Sequence, residues 1–456
     1  METILHRLAA GDQRPHQTKE LKSAFYDAGP RSSCIPATSG QIGHRWGLEH
    51  HREPGKLYRM SKRIVIGDAY YRDGTRPFSM GVPDRLLHLY LIGQTGTGKS
   101  TLIENLARQD AAAGRGFCLL DPHGDLAQDL SRTLGTEHIY WDVADPDCPY
   151  GYNPLTHVRA DLRPLIASSL IDTLKKQWID AWGARMEHLL RYAVLALLDQ
   201  PQADLRDILP LFIDEDWRKG VIEGIVDDQV RAFWTTEFTA LRYKNATDAV
   251  APIANKLGAF LSHPLVRQAM CEPKEPLRFR RIMDEGHCLI VNLATGRIGA
   301  DTANVLGGLI LSAIAHAAYS RAGSPSNQRQ PFFVYADEFH AFTTTALLGM
   351  LPQLRKYGVG LTLAHQYLEQ LEPPLRAAIF GNVGSLLVFR VGASDAPLLA
   401  SQLGISDPAN LLGLQNYECF ARVMAEQKQT KAFSAFTRKP AEADLATGGE
   451  RSIDPT

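Results

Sequence analysis

The chain has 456 residues, too many for one ordinary small domain, so two domains or one large α/β domain with an insertion are expected. Apolar residues make up 45% and charged residues 22%, the balance of a globular chain with a sizeable core. With 49 basic against 50 acidic residues the net charge is −1, which excludes a globally basic field, so nucleic-acid binding has to come from local patches.

Residues 1–55 are rich in Pro, Gly, Arg and His, lack periodicity and read as a mobile N-terminal arm. No long apolar stretch opens the chain, so a signal peptide is not expected. Residues 56–85 include RIVIGDAYYRDGTRPFSM, whose alternating apolar positions about Asp73-Gly74 predict a small β-hairpin element. From Leu86 onward the pattern is strand, turn, helix. The runs LLHLYLIG, FCLLD, HIYWDV, HCLIVNLA, FFVYAD, GLTLA and SLLVFRVG are continuously apolar, as parallel strands covered on both faces are. They predict a doubly wound α/β sheet, split into residues 86–160 and 282–428 by an inserted all-α domain at 161–281. Apolar content falls after residue 428, and 429–456 reads as a disordered tail.

The longest apolar segment, residues 305–319, is short for a membrane span and contains His316, so it predicts a buried helix and no direct membrane insertion. The six cysteines are scattered without a C-x-x-C pair. Neither a zinc site nor a disulfide framework is expected, and a reducing cytoplasm fits.

The chemistry concentrates in a few short motifs. LHLYLIGQTGTGKST places Gly93-Gln94-Thr95-Gly96-Thr97-Gly98-Lys99-Ser100-Thr101 between an apolar strand and a helical pattern, the context of a phosphate-binding loop. Its glycines let backbone N–H groups turn inward around phosphate oxygens, and the new helix points its positive end at the same anion. Lys99 is expected to bridge the β- and γ-phosphates of ATP, and Ser100 to ligate Mg²⁺. QPFFVYADEF supplies the acidic partner: Asp337 as the second Mg²⁺ residue and Glu338 as general base for the attacking water. Gln366, just past the strand GVGLTLA, falls at the edge where ligands bind and is expected at the γ-phosphate or the lytic water. Arg355 and Arg390 are the candidates for an arginine finger that reaches a neighbouring subunit's nucleotide.

Earlier in the chain, FCLLDPHGDLAQDL carries Asp121, His123 and Asp125 at alternate positions. The trio suggests a metal site, but Pro122 and Gly124 bend the chain and no fourth ligand is evident. FCLLD is better read as the second strand of the nucleotide-binding sheet. Asp121 then stands at its ligand-facing end, ordering water beside Glu338, while Asp125 caps the following helix.

Taken in order, GQTGTGKS, DPHGD, YADEFHAF, RKYGVGLTLAHQ, GNVG and FRVG resemble the HerA/FtsK superfamily of P-loop motors. Within it, residues 60–425 are most similar to the cytosolic ATPase of conjugative DNA-transfer coupling proteins of the TraG/TraD kind. The resemblance implies a RecA-like core, a ring of six subunits with ATP between them, and DNA in a central channel. It makes Lys99 and Ser100 the P-loop pair, Asp337 and Glu338 the Walker B pair and Gln366 the sensor. It ranks Arg355, which aligns with an arginine proposed to act in trans, above Arg390.

Two family features are missing from the sequence: N-terminal transmembrane helices and a C-terminal winged helix. The expectation is an ATP-driven translocase for DNA or a nucleoprotein in type IV secretion-like transfer. It is a cytoplasmic homohexamer recruited to the membrane by a partner, which is a relaxase, a nuclease or a secretion component. The alternatives are a HerA-like translocase working with a nuclease, and a nucleotide-dependent ring scaffold or protein-secretion ATPase. The basic clusters at residues 58–63 and 277–281 could contact DNA phosphates, although charge runs are more often solvated faces.

Overall fold

Strands with water on neither face have no reason to alternate in polarity, and that is why the apolar runs are continuous. In the computed structural model, residues 63–439 are described except 157, 241–245 and 344–345. The expected arm at 1–55 and the tail from residue 440 onward lie outside the described residues. The hairpin strands β1 (Ile64–Tyr71) and β2 (Gly74–Met80) come first. Next come β3 (Leu89–Ile92), β4 (Gly116–Asp121), β5 (Ile139–Asp142), β6 (Cys288–Asn292), β7 (Phe332–Ala336), β8 (Val359–His365) and β9 (Ser385–Val388). The last two are β10 (Glu418–Arg422) and β11 (Phe433–Thr437). All eleven join one sheet in the order β2-β1-β11-β10-β9-β3-β8-β7-β4-β6-β5. From β9 to β5 every pairing is parallel, and every residue of β3, β4, β6, β7, β8 and β9 is buried.

β11 corrects the expected tail. It lies inside residues 429–456, yet it pairs antiparallel with both β1 and β10, burying Ala435 and Thr437. The hairpin is therefore an extension of the main sheet rather than a separate element. The signal in FSAFT is only a short alternation, with the intervening residues half-buried, which is weaker than a fully buried run.

Helices cover both faces. The helix α1 (Lys99–Ala112), opening directly from the loop after β3, and α2 (Asp125–Thr133), after β4, bury Leu102, Leu106, Leu126 and Leu130 on one face. The other face carries the helical segment expected as an insertion. Its α3 (Arg163–Gln177), α4 (Ala184–Leu198) and α5 (Ala246–Ser262) share one apolar cluster with strand residues Tyr90, Leu120 and Val334. α3 packs on α6 (Ala300–Tyr319), where Ser169 Oγ meets His316 Nε2 at 2.9 Å. Burial holds His316 down to about 4, so the imidazole enters this core neutral. Residues Ala300–Gly323 are long and apolar enough to cross a membrane, but 83% of that window is buried inside the chain.

A buried ionic knot ties α1 to the sheet. Asp110, fully buried, accepts from Arg85 at 2.7 and 2.8 Å, from Arg115 at 2.6 Å and from the Tyr335 hydroxyl at 2.6 Å. Burial raises its carboxyl, but the guanidiniums outweigh that and hold it below its ordinary value. Removing one member of such a set strands the others. Asp110→Ala is expected to lower unfolding free energy by about 3–5 kcal/mol, read from denaturant unfolding.

Candidate active site

In a parallel sheet the carboxyl ends of the strands share one edge, and the predicted site residues other than Arg355 lie along it. Gly96 and Gly98, in the loop after β3, have φ of 77° and 110°, values that L side chains rarely adopt. Gly98 is also the N-cap of α1, and a Cβ there would lie 2.7 Å from the Tyr417 ring. The Thr97 hydroxyl donates to the Gln94 carbonyl at 2.7 Å, closing the loop on itself. Gln94 and Thr95 stand exposed, while Thr101 begins to sink into the helix packing. Lys99 is buried, and its ammonium donates to the Gly93 carbonyl at 2.6 Å and the Gln94 carbonyl at 3.1 Å. Burial lowers its pKa, against the pull of Asp337 and Glu338.

The acidic pair follows β7. Ser100 Oγ donates to Asp337 Oδ2 at 2.7 Å, joining the two residues expected to share a cation. Burial, with the nearby charges of Glu338 and Asp121, pushes the Asp337 carboxyl up to about 6, although the Ser100 hydrogen bond opposes it. Glu338 sits in the left-handed region at φ 45°, a strained backbone for a side chain of this size. Its Oε1 accepts from Gln366 Nε2 at 2.9 Å. Gln366 is placed by β8, whose last residue, His365, pairs through Nε2 with the Tyr90 hydroxyl of β3.

Two further expectations resolve differently. Asp121 is at the end of β4, but its Oδ1 accepts from the His123 backbone N–H and its Oδ2 from that of Ala127, both at 2.9 Å. The carboxylate thus holds the turn into α2, and this geometry does not support the expected water-ordering role. Asp125 is not the cap of α2. Gly124 is, at φ 97°, with no side-chain bond, because Asn292 leaves no room there for a Cβ. Among the described residues, no group of three or more His, Cys, Asp or Glu is placed to hold an ion.

The two arginines separate cleanly. Arg390 Nε donates to Gln94 Oε1 at 3.2 Å, and its other nitrogens reach the Leu414 carbonyl at 3.0 Å and Asn416 Oδ1 at 3.2 Å. Its own carbonyl accepts from the Gln94 N–H at 2.8 Å. It therefore braces the phosphate-binding loop of its own chain. Arg355 lies in the turn Arg355–Tyr357 before β8, at the opposite edge of the sheet from Gln366, and is exposed.

Sequence reasoning missed residues around the site, Lys176 and Gln370 among them. Lys176 of α3 donates to the His340 carbonyl at 3.2 Å and to the Thr343 carbonyl, anchoring the loop after Glu338 to the helical segment. Gln370 accepts the N–H groups of Gln366 and Tyr367 at 3.0 and 3.1 Å. Neither residue belongs to a recognisable motif.

No protein-family model matches the sequence, and no curated protein does. Solved structures do match. The bacterial conjugative coupling protein TrwBdeltaN70, unbound monoclinic form, superposes with a TM-score of 0.60 at 17% identity, over 84% of this chain and 91% of that one. The plasmid coupling protein TrwB in complex with ADP and Mg²⁺ gives 0.59 at 18% identity, over 85% and 94%. VirB4 of Thermoanaerobacter pseudethanolicus gives 0.58 at 15% identity, over 84% and 98%. With its parallel sheet, covering helices and phosphate-binding loop at the strand ends, the chain has the RecA-like ATPase fold of TrwB and VirB4.

Proposed function

We propose that the chain is an ATP-hydrolysing motor that moves DNA or a nucleoprotein, acting as a ring in conjugative, type IV secretion-like transfer. One observation carries the hydrolytic part. The Lys99 loop, the Ser100–Asp337 pair and the Glu338–Gln366 pair meet at one sheet edge. The backbone amides of residues 95–98 and the start of α1 receive the phosphates, and Lys99 neutralises them. Ser100 and Asp337 would hold Mg²⁺, a hard ion that takes oxygen ligands and whose charge would offset the repulsion among Asp337, Glu338 and Asp121. When bound, it supplies further charge neutralisation to the phosphates.

Glu338 takes a proton from the water that attacks the γ-phosphorus while the bond to the β-phosphate oxygen breaks, yielding ADP and phosphate. Gln366 holds that carboxylate by its Oε1. An adjacent Asp-Glu pair suits repeated hydrolysis, which a scaffold assembled by nucleotide binding alone does not need.

The choice of DNA as cargo is supported by a fold shared with a protein described as a conjugative coupling protein. The test is displacement of a third strand from triplex DNA. ATP-dependent displacement, absent in Glu338→Gln, is the expected result. A chain that turns over ATP but neither binds nor moves any nucleic acid has a protein cargo instead. Because contacts to the phosphate backbone are sequence-independent, DNA affinity is expected to fall about 10³-fold or more between 50 and 200 mM salt.

A further inference from the structure

Glu338 is approached from two sides, and only one side belongs to the site described so far. Its Oε1 accepts from Gln366, whereas its Oε2 lies 3.4 Å from His340 Nδ1. Both of these facing atoms are buried, and neither has a hydrogen-bond partner. The separation is slightly long for a hydrogen bond, so the two atoms stand just short of one.

Gln370 decides which nitrogen of that imidazole carries the proton. Its Oε1 already accepts the N–H groups of Gln366 and Tyr367, so its amide nitrogen is the end that meets His340 Nε2, at 3.2 Å. A neutral imidazole that accepts at Nε2 has its proton on Nδ1, the nitrogen that faces Glu338. Burial keeps His340 below the ordinary histidine range, against the pull of Glu338, so the ring is neutral at neutral pH. The opposite tautomer would set a lone pair against the carboxylate. Lys176 fixes the same loop from behind, through the His340 and Thr343 carbonyls. Glu338 needs such lateral support because its strained backbone does not by itself define where the carboxylate points.

We propose that His340, oriented by Gln370, is a positioning residue for hydrolysis: its Nδ1–H closes on Glu338 Oε2 and, with Gln366 on Oε1, holds the carboxylate in register with the attacking water. The proposal rests on Glu338 being the base. It ties the loop after β7 to the turn after β8, so that a shift of either one moves the carboxylate.

Steady-state ATP hydrolysis and ATP affinity of the full chain test it, in wild type, His340→Phe, His340→Asn, Gln370→Met and Glu338→Gln. Phe keeps an aromatic ring without a donor, whereas Asn returns an N–H close to the Nδ1 position. His340→Phe is expected to lower kcat roughly tenfold to a hundredfold, the scale of a small misplacement of a catalytic group, with ATP affinity unchanged. His340→Asn should recover most of that loss, and Gln370→Met should lower kcat by a smaller factor. Wild-type kcat in His340→Phe overturns the proposal, and so does an equal loss in Phe and Asn accompanied by weaker ATP binding. If His340→Phe does not fold, an unchanged kcat in Gln370→Met overturns it. Undiminished hydrolysis by Glu338→Gln removes the base assignment itself, a failure separate from that of His340.

Discussion

Glu338→Gln should abolish nearly all turnover while leaving ATP binding intact. Removing a positioned general base lowers kcat by about 10²–10⁴-fold. The amide keeps the size of the side chain and leaves the Lys99 loop and the Ser100–Asp337 contact untouched. A loss confined to kcat marks an interaction made in the transition state, whereas a rise in KM alone marks lost ground-state binding. Equilibrium binding of a fluorescent ATP analogue, beside phosphate-release kinetics, separates the two. Replacing Glu338 also takes one negative charge away from Asp337, so a modest gain in nucleotide affinity fits the same account. Turnover within a few-fold of wild type would mean that another group activates the water.

In the proposed ring, where the Arg355 guanidinium reaches a neighbouring subunit, Arg355→Ala should be at least as damaging. β8 has seven residues, and at about 3.3 Å per residue it separates Arg355 from Gln366 by roughly 20 Å. Arg355 therefore cannot serve the nucleotide of its own chain. It is exposed at that far edge, and among the described residues no partner pairs with its guanidinium. Arg390, by contrast, already has three contacts within its own chain beside the phosphate-binding loop. An arginine finger contributes about 10³–10⁵-fold to kcat. Arg355→Ala is expected to lose on that scale, and mixing it with Glu338→Gln subunits should restore part of the activity, since some interfaces then hold both intact groups. Mixtures no better than either parent would rule out action across an interface.

The parts of the molecule legible in the sequence are those whose causes are local. Six of the parallel strands are apparent because burial on both faces makes FCLLD or FFVYA apolar without interruption. The Lys99 loop is apparent because glycine is required at Gly96 and Gly98 for backbone reasons alone. β11 is missed because an antiparallel strand near the sheet's edge needs only alternate apolar residues, and five residues leave little pattern. Asp121 looks catalytic by its position at a strand end, yet its oxygens answer to backbone N–H groups two and six residues on, a choice that only the turn geometry makes. His340 could not be found at all, because its role depends on Gln370, thirty residues away, and on which way that amide faces.

The central claim is that this edge hydrolyses ATP in the service of moving nucleic acid. The most direct measurement is steady-state phosphate release by the wild-type chain, alone and with single- or double-stranded DNA, at low salt. The account predicts turnover that one form of DNA raises, that Glu338→Gln eliminates and that salt suppresses along with DNA binding. No phosphate release under any of these conditions would contradict it.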